Sequence, residues 1–260
     1  MIRPALALLF AIIGHAALAS DLAPTGTLRA TYIATNPVQA FVDPQTKEVR
    51  GPAAELTREL AKRAGVPFTI KGANGVQGVI DSVKNGEADI GFVAFDPTRA
   101  TQVDFSQAYS LAQNSYLVPE SSPIKSVADA DRAGVRIGVG ARDAGDHFLT
   151  RTLKHAELKR NEGGNIEVAL KQLAAGEIDA YAGNRMRLHG IAQRTPGLRL
   201  VPDNFYGVEQ SVIVPKGNAA RLAIVEKFLD EARASGLIAE SIARAGLVGV
   251  DVAPAKARTQ

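Results

Sequence analysis

The sequence has no cysteine among its 260 residues. That excludes disulfides, a thiol nucleophile and a cysteine-ligated metal. It also leaves no cysteine to carry a lipid behind the amino-terminal apolar stretch. Histidine is scarce, and His147, His155 and His189 show no metal-ligand spacing. Asp143, Asp146 and His147 lie close together, but at a helix start such a cluster is ordinarily solvated and matched to the helix dipole. No G-x-S-x-G elbow is present for a hydrolytic serine. Gly138, Gly140 and Gly145 miss the G-x-G-x-x-G spacing, so GVGARDAG is not a dinucleotide loop. Lysine and arginine are spread along the chain with no basic stripe interleaved with aromatics, which argues against nucleic acid as a partner. Nothing in the sequence calls for a metal or a cofactor.

What is present reads as a globular protein. Hydrophobic residues make up 46% and charged residues 22%, enough for one large domain or two small lobes. Residues 1–19 have the form of a signal peptide: Met1-Ile2-Arg3 is a positive start, an apolar run follows, and Ala17-Leu18-Ala19 is a small-x-small cleavage site. The run, broken at Gly14 and His15, falls short of the ~20 residues of a spanning helix. The mature chain is therefore expected to begin at Ser20. Taking Arg3 from the 30 basic residues leaves 29 against 27 acidic ones, nearly neutral. The expected setting is an oxidising compartment, the periplasm.

Taken in order, the periodicities predict a strand at Gly26–Ile33, a turn at Asn36-Pro37 and a hairpin-like loop at Asp43–Lys47. A helix opens with Pro52 at its first position. Ala53, Leu56, Leu60, Ala61 and Ala64 line one face, and Gly65 stops it. A strand over Val66–Ile70 and a helix carrying Val76, Val79, Ile80 and Val83 follow. Then comes the run Ile90–Phe95. Beyond Ser106 the pattern predicts an extended piece at Tyr116–Pro119, a short helix from a Ser126 cap to Arg132, and a strand at Gly134–Val139. A helix capped by Asp143 carries Phe148, Leu149 and Leu153. Helix Ile166–Ala174, strand Ile178–Ala182, helix Asn184–Ala192 and strand Leu198–Val201 complete that half. The chain ends with an extended Val208–Val214, a helix capped by Asn218, a last helix over Leu237–Ala245 and a loose tail from Val252. Strands alternating with helices argue for an α/β fold on a mixed sheet.

An internal echo gives this order its meaning. Gly86-Glu87-Ala88-Asp89 and Gly176-Glu177-Ile178-Asp179 each follow a helix and lead a strand, in two successive βαβαβ runs. Ligands of open α/β sheets lie beyond the carboxyl ends of the strands. The residues there are Asp96 to Arg99 in one half and Gly183-Asn184-Arg185 in the other. A guanidinium matches a carboxylate bidentately and stays charged. Arg99 is thus a candidate carboxylate anchor, the alternative being a surface ion pair with Asp96 or Asp104.

The stretch GEADIGFVAFDPTRATQVDFSQAY, Gly86 to Tyr109, with GVRIGVGARDAGDHF and AAGEIDAYAGN, resembles the bacterial family 3 extracellular solute-binding proteins, the polar amino-acid class serving ABC transporters. The resemblance implies a two-lobed periplasmic-binding-protein fold of type II, with two hinge strands and lobes that close on one ligand. On that pattern residues 20–109 begin lobe 1, 110–113 and 207–210 are hinges, 114–206 form lobe 2 and 211–260 return to lobe 1. It further implies a monomer that hands a small carboxylate-bearing solute to a permease in the inner membrane.

Residue by residue, Arg99 stands six before Phe105, as the family's carboxylate-binding arginine does. Asp143-Ala144-Gly145 stands where backbone N–H groups at a helix start bind the same carboxylate. Ala144 replaces a frequent threonine there, and Asp143 is free to cap the helix instead. Asn184 replaces the aspartate that pairs with an α-ammonium. Val76 replaces an aromatic platform. Ala94, Phe95 and Asp96 fill a turn that usually carries a Ser/Thr pair. Asp96 and Asp143 are the acids that can answer an amine. Asn36 reads equally as a polar contact and as a turn residue before Pro37. Two other functions fit the same fold: a cyclohexadienyl dehydratase-like enzyme with Asp96, Asp143 or Glu209 as general acid, and a ligand sensor for a membrane receptor.

Overall fold

The computed structural model describes residues 19–162 and 165–255. The expected signal segment lies outside them except for Ala19, which sits in a helical turn whose Leu22 is fully buried. In chain order the elements are β1 (Leu28–Ile33), β2 (Phe41–Val42), β3 (Val49–Arg50), α1 (Pro52–Ala64), β4 (Phe68–Ala73), α2 (Gly75–Lys84), β5 (Ile90–Ala94), β6 (Val103–Pro119), β7 (Arg136–Gly140), α3 (Ala144–Thr152), β8 (Glu157–Asn161), α4 (Ile166–Ala174), β9 (Ala180–Asn184), α5 (Arg185–Arg194), β10 (Leu198–Leu200), β11 (Tyr206–Pro215), α6 (Ala219–Ala234), α7 (Leu237–Arg244) and β12 (Val250–Val252).

The chain divides into two compact units. The first holds the residues up to Leu111, Glu209–Leu247 and those from Val252; the second holds Ala112–Val208 and Val248–Asp251. Each is built on its own part of the strand order.

In the first unit β1 lies between β4 and β5, parallel to both, with Ala30 opposite Ile70 and Ile90. β11 runs antiparallel to β5, with Ala94 opposite Gln210. Strand residues alternate between faces. Val93, Val103, Phe105 and Ile213 meet Val79, Ile80 and Val83 of α2 in one buried cluster. α1 begins as read, with Pro at its start, and ends at Gly65 in the left-handed region (φ 68), where a Cβ is disfavoured.

In the second unit β7 is parallel to β8 and β9, and β9 is antiparallel to the later part of β6. The alternation is plain: Tyr116, Val118, Ala180 and Ala182 point to a cluster with Ile137, Val139 and Leu149. Leu117 and Tyr181, between them in sequence, join the opposite cluster with Leu173, Leu188 and Ile191.

Several expectations are corrected. The separate extended pieces around Ser106 and Tyr116 are one 17-residue strand, β6. Its middle is polar in sequence, yet Gln107, Ser110, Asn114 and Ser115 are buried. The helix expected from Ser126 to Arg132 is a single 3₁₀ turn over Val127–Asp129, because Asp129 bonds back to the N–H groups of Lys125 and Ser126 and closes the turn. β8 was not expected; as a partly exposed strand beside β7 its residues ELKRN lack apolar alternation. The tail from Val252 is not loose up to residue 255: β12 pairs with β6, and Ala253 is buried. On α6 the buried face includes Arg221, whose guanidinium donates to the carbonyls of Asp21 and Asp89.

Candidate functional site

In the first unit the parallel pair β1 and β5 ends at Ile33 and Ala94, and the turns that follow carry the candidate residues. The Asp96 carboxylate shapes the second turn. Its Oδ1 accepts from the N–H of Thr98 at 2.8 Å, from the Thr98 hydroxyl and, at 3.4 Å, from the N–H of Arg99. The Thr98 hydroxyl is the main reason its pKa lies below the ordinary aspartate value. Arg99 then folds back, and its Nη1 donates to the Ala94 carbonyl at 2.9 Å. Among the described residues no carboxylate forms an ion pair with this half-buried guanidinium. The alternative, a surface ion pair with Asp96 or Asp104, is not formed at contact distance, although the Arg99 charge still helps to lower the Asp96 pKa. Asp104 is held instead by Lys216 Nζ and the N–H of Gly217, each at 2.7 Å. Arg99 is a half-buried cation fixed at one edge by the Ala94 carbonyl.

Asn36 serves the turn after β1: its Oδ1 accepts from the Val38 N–H at 3.3 Å and its carbonyl from Gln39 and Ala40. Val76 lies in the first turn of α2 and packs, half-buried, against the α2 cluster.

In the second unit β7 and β9 are the adjacent parallel strands, and α3 and α5 start just past their carboxyl ends. Asp143 caps α3 with its own carboxylate, accepting from the Asp146 N–H at 2.7 Å. A side chain on Gly145 would sit 3.2 Å from that oxygen, so the turn closes tightly. The helix start that the resemblance offers to a ligand carboxylate is thus partly filled from within, and Ala144, at its first position, adds no hydroxyl. Burial pushes the Asp143 pKa upward, although its surface is open to solvent. Water screens so open a group, so the direction matters more than the size. Asp146 behaves oppositely. Burial works against its charge, but the Arg142 N–H, Thr150 and Arg160 hold its pKa below the ordinary value.

Asn184 is the cap of α5, its Oδ1 accepting from the Arg187 N–H at 3.2 Å. This local use explains an asparagine here without any ligand. Among the described residues no group of three His, Asp or Glu side chains is placed to hold a metal.

Residues 28–245 match the bacterial extracellular solute-binding proteins, family 3. The chain belongs to that family. Two curated relatives are the glutamine-binding protein of Geobacillus stearothermophilus, 28% identical over 64% of this chain and 65% of that protein, and the ABC transporter glutamine-binding protein GlnH of Bacillus subtilis (strain 168), 24% identical over 60% and 57%. The chain thus matches under two thirds of the length of either. A solved ancestral cyclohexadienyl dehydratase shares the fold, with a TM-score of 0.58 at 24% identity over 86% of this chain and 94% of that one. Substrate-binding proteins of amino acid ABC transporters are among the other structures of this fold. The family and the type II periplasmic-binding-protein fold read from Gly86–Tyr109 are borne out.

Within this family 3 protein one supporting pair escaped the sequence reading. Gln39 is fully buried. Its Oε1 accepts from the Ile33 N–H at 3.0 Å and its Nε2 donates to Gln210 Oε1 at 3.2 Å. Gln210 is the strand partner of Ala94, whose carbonyl holds Arg99. Two glutamines 171 positions apart carry no local signal. The first unit also has cavities of about 300 Å³ beside Arg50, Arg58 and Arg244 and about 350 Å³ beside Leu60 and Phe228, but neither includes a predicted site residue.

Proposed function

We propose that this family 3 protein captures a small carboxylate-bearing solute, an amino acid or a close derivative, in the periplasm and delivers it as a monomer to an ABC-transporter permease in the inner membrane. The observation that carries the reading is Arg99, anchored through one N–H to Ala94 and, among the described residues, in no contact ion pair, the nearby Asp96 acting on its guanidinium only through longer-range attraction. A guanidinium so oriented offers its remaining donors to a ligand carboxylate. The names of the curated relatives, both glutamine-binding, support an amino-acid ligand.

The ligand's amine, if present, is answered by Asp143 rather than by Asn184 or Asp96. Asn184 is neutral and caps α5, and the one Asp96 oxygen seen to bond is already shared by three donors. Asp143 has one oxygen on the helix and no ion-pair partner among the described residues. Val76, Asn36, Ala94 and Ala144 then contribute shape and backbone groups. Closure takes place by bending at residues 110–113 and 207–210.

The test is a thermal-shift screen of amino acids, opines, dicarboxylates and aromatic acids, because a tight ligand stabilises only the folded form. A hit abolished by Arg99→Ala supports the reading; a hit indifferent to that change contradicts it.

A second reading has its own observation. Asp143 is an acid whose pKa burial raises, as a general acid requires, and a dehydratase shares the fold. Turnover of prephenate or arogenate that disappears in Asp143→Asn establishes it; no turnover removes it.

A further inference from the structure

The family match ends at residue 245, but the ordered chain continues. Residues 248–251 group with the second unit, whereas Leu247 and Val252 on either side belong to the first. The chain therefore changes unit twice more, beyond the two passages made by β6 and β11.

This segment is held along β6. The Gln113 N–H donates to the Gly249 carbonyl at 2.8 Å, and the Gln113 amide donates to Asp251 Oδ2 at 2.8 Å. Farther on, the Ala253 N–H donates to the Tyr109 carbonyl at 3.1 Å. Arg233 donates to the carbonyls of Ala253 and Ala108 at 2.9 and 3.0 Å. Gly249 is required twice over. Its φ of +72° is left-handed, and a Cβ there would lie 2.7 to 2.8 Å from the stem of Arg185. Arg185 cannot swing aside cheaply, because its Nη1 is within 3.2 Å of Ser115 Oγ, the carbonyls of Val201 and Asp203, and Asn204 Oδ1.

β6 passes from the first unit to the second between Leu111 and Ala112. The segment bonds to Tyr109 before that junction and to Gln113 after it. We propose that residues 248–253 are a splint on β6 that limits its bending at the junction and so restricts how far the ligand-free protein opens. An extended strand alone bends through a few soft dihedrals; a second segment bonded to it on both sides of the bend must bend with it, which stiffens the junction. The inference rests on the reading of the chain as a binding protein whose units move, but its test needs no ligand, so the two can fail separately.

The natural chain has no cysteine, so Glu87→Cys and Glu177→Cys, both at exposed positions, accept spin labels specifically. Double electron–electron resonance then reads the distance distribution between them in the ligand-free protein. The expected result is a narrow distribution in the labelled parent and a width at least about doubled in Gly249→Val and in a chain stopped after Leu247. Gly249→Ala falls between. An unchanged width in Gly249→Val, whether or not its melting temperature drops, overturns the proposal. Should the stopped chain fail to fold, Gly249→Val decides alone.

Discussion

Arg29 and Asp89 form a two-pronged ion pair, Nη2 to Oδ1 at 2.8 Å and Nε to Oδ2 at 3.1 Å, while the Arg29 N–H also donates to Oδ2. Arg136 and Asp179 repeat it with Nη2 at 2.9 Å, Nε at 3.0 Å and the N–H at 2.8 Å. Each aspartate ends a Gly-Glu-x-Asp loop and clasps the arginine at the start of the neighbouring parallel strand, β1 or β7. The echo in the sequence is thus a repeated clasp between adjacent parallel strands.

The two clasps differ in burial, which gives a stability prediction. The Asp89 side chain is 1% exposed and that of Asp179 35%. Asp89→Ala leaves a strand-end N–H and an arginine without their acceptor in a buried place, and should cost about 3 to 5 kcal/mol. Asp179→Ala should cost about 1 to 2 kcal/mol, because water replaces part of what is lost. Urea unfolding of the two variants measures the difference; equal losses would contradict the burial argument.

The same clasp sets an acid limb. Hydrogen bonding from Arg136 holds the Asp179 pKa below the ordinary value of 3.8. An acid with a depressed folded-state pKa contributes stability that is present above its unfolded value and lost as the pH falls through the folded one. The melting-temperature gap between the natural chain and Asp179→Asn should be constant near neutrality and narrow below 3.8. Calorimetry across that range checks it.

Asp143 carries the opposite sign. Its pKa is raised above 3.8 by burial, so ionising it works against the fold as the pH rises past that value. Asparagine still caps a helix. Asp143→Asn should therefore be at least as stable as the natural chain at neutral pH, with the advantage gone in acid. The same variant should weaken binding of an amine-bearing ligand more than that of its des-amino analogue. Lower stability at neutral pH would show that the charge itself is needed for the cap.

Much of this was legible from the residues. Helix starts at Pro52, Asp143, Asn184 and Asn218 were readable because capping is local chemistry. The family showed in the Asp-led strand and the Arg99 turn. Strand β6 was not legible along its length, because its buried Ser110, Asn114 and Ser115 look like a loop. Gln39 with Gln210, and Gly249 with Arg185, were invisible since their meaning exists only once distant segments meet. Local reading also left Arg99 between a surface ion pair and a ligand anchor; the fold directs it to Ala94 and gives Asp104 to Lys216.

Isothermal titration of the best-stabilising solute into the natural chain, Arg99→Lys and Arg99→Ala tests the central claim most directly. A desolvated guanidinium–carboxylate pair, truncated on one side, costs about 2 to 5 kcal/mol, so Arg99→Ala should bind at least about tenfold more weakly while remaining folded. Lysine keeps the charge but loses the planar fork, and should fall between. Equal affinity in all three proteins would contradict the account.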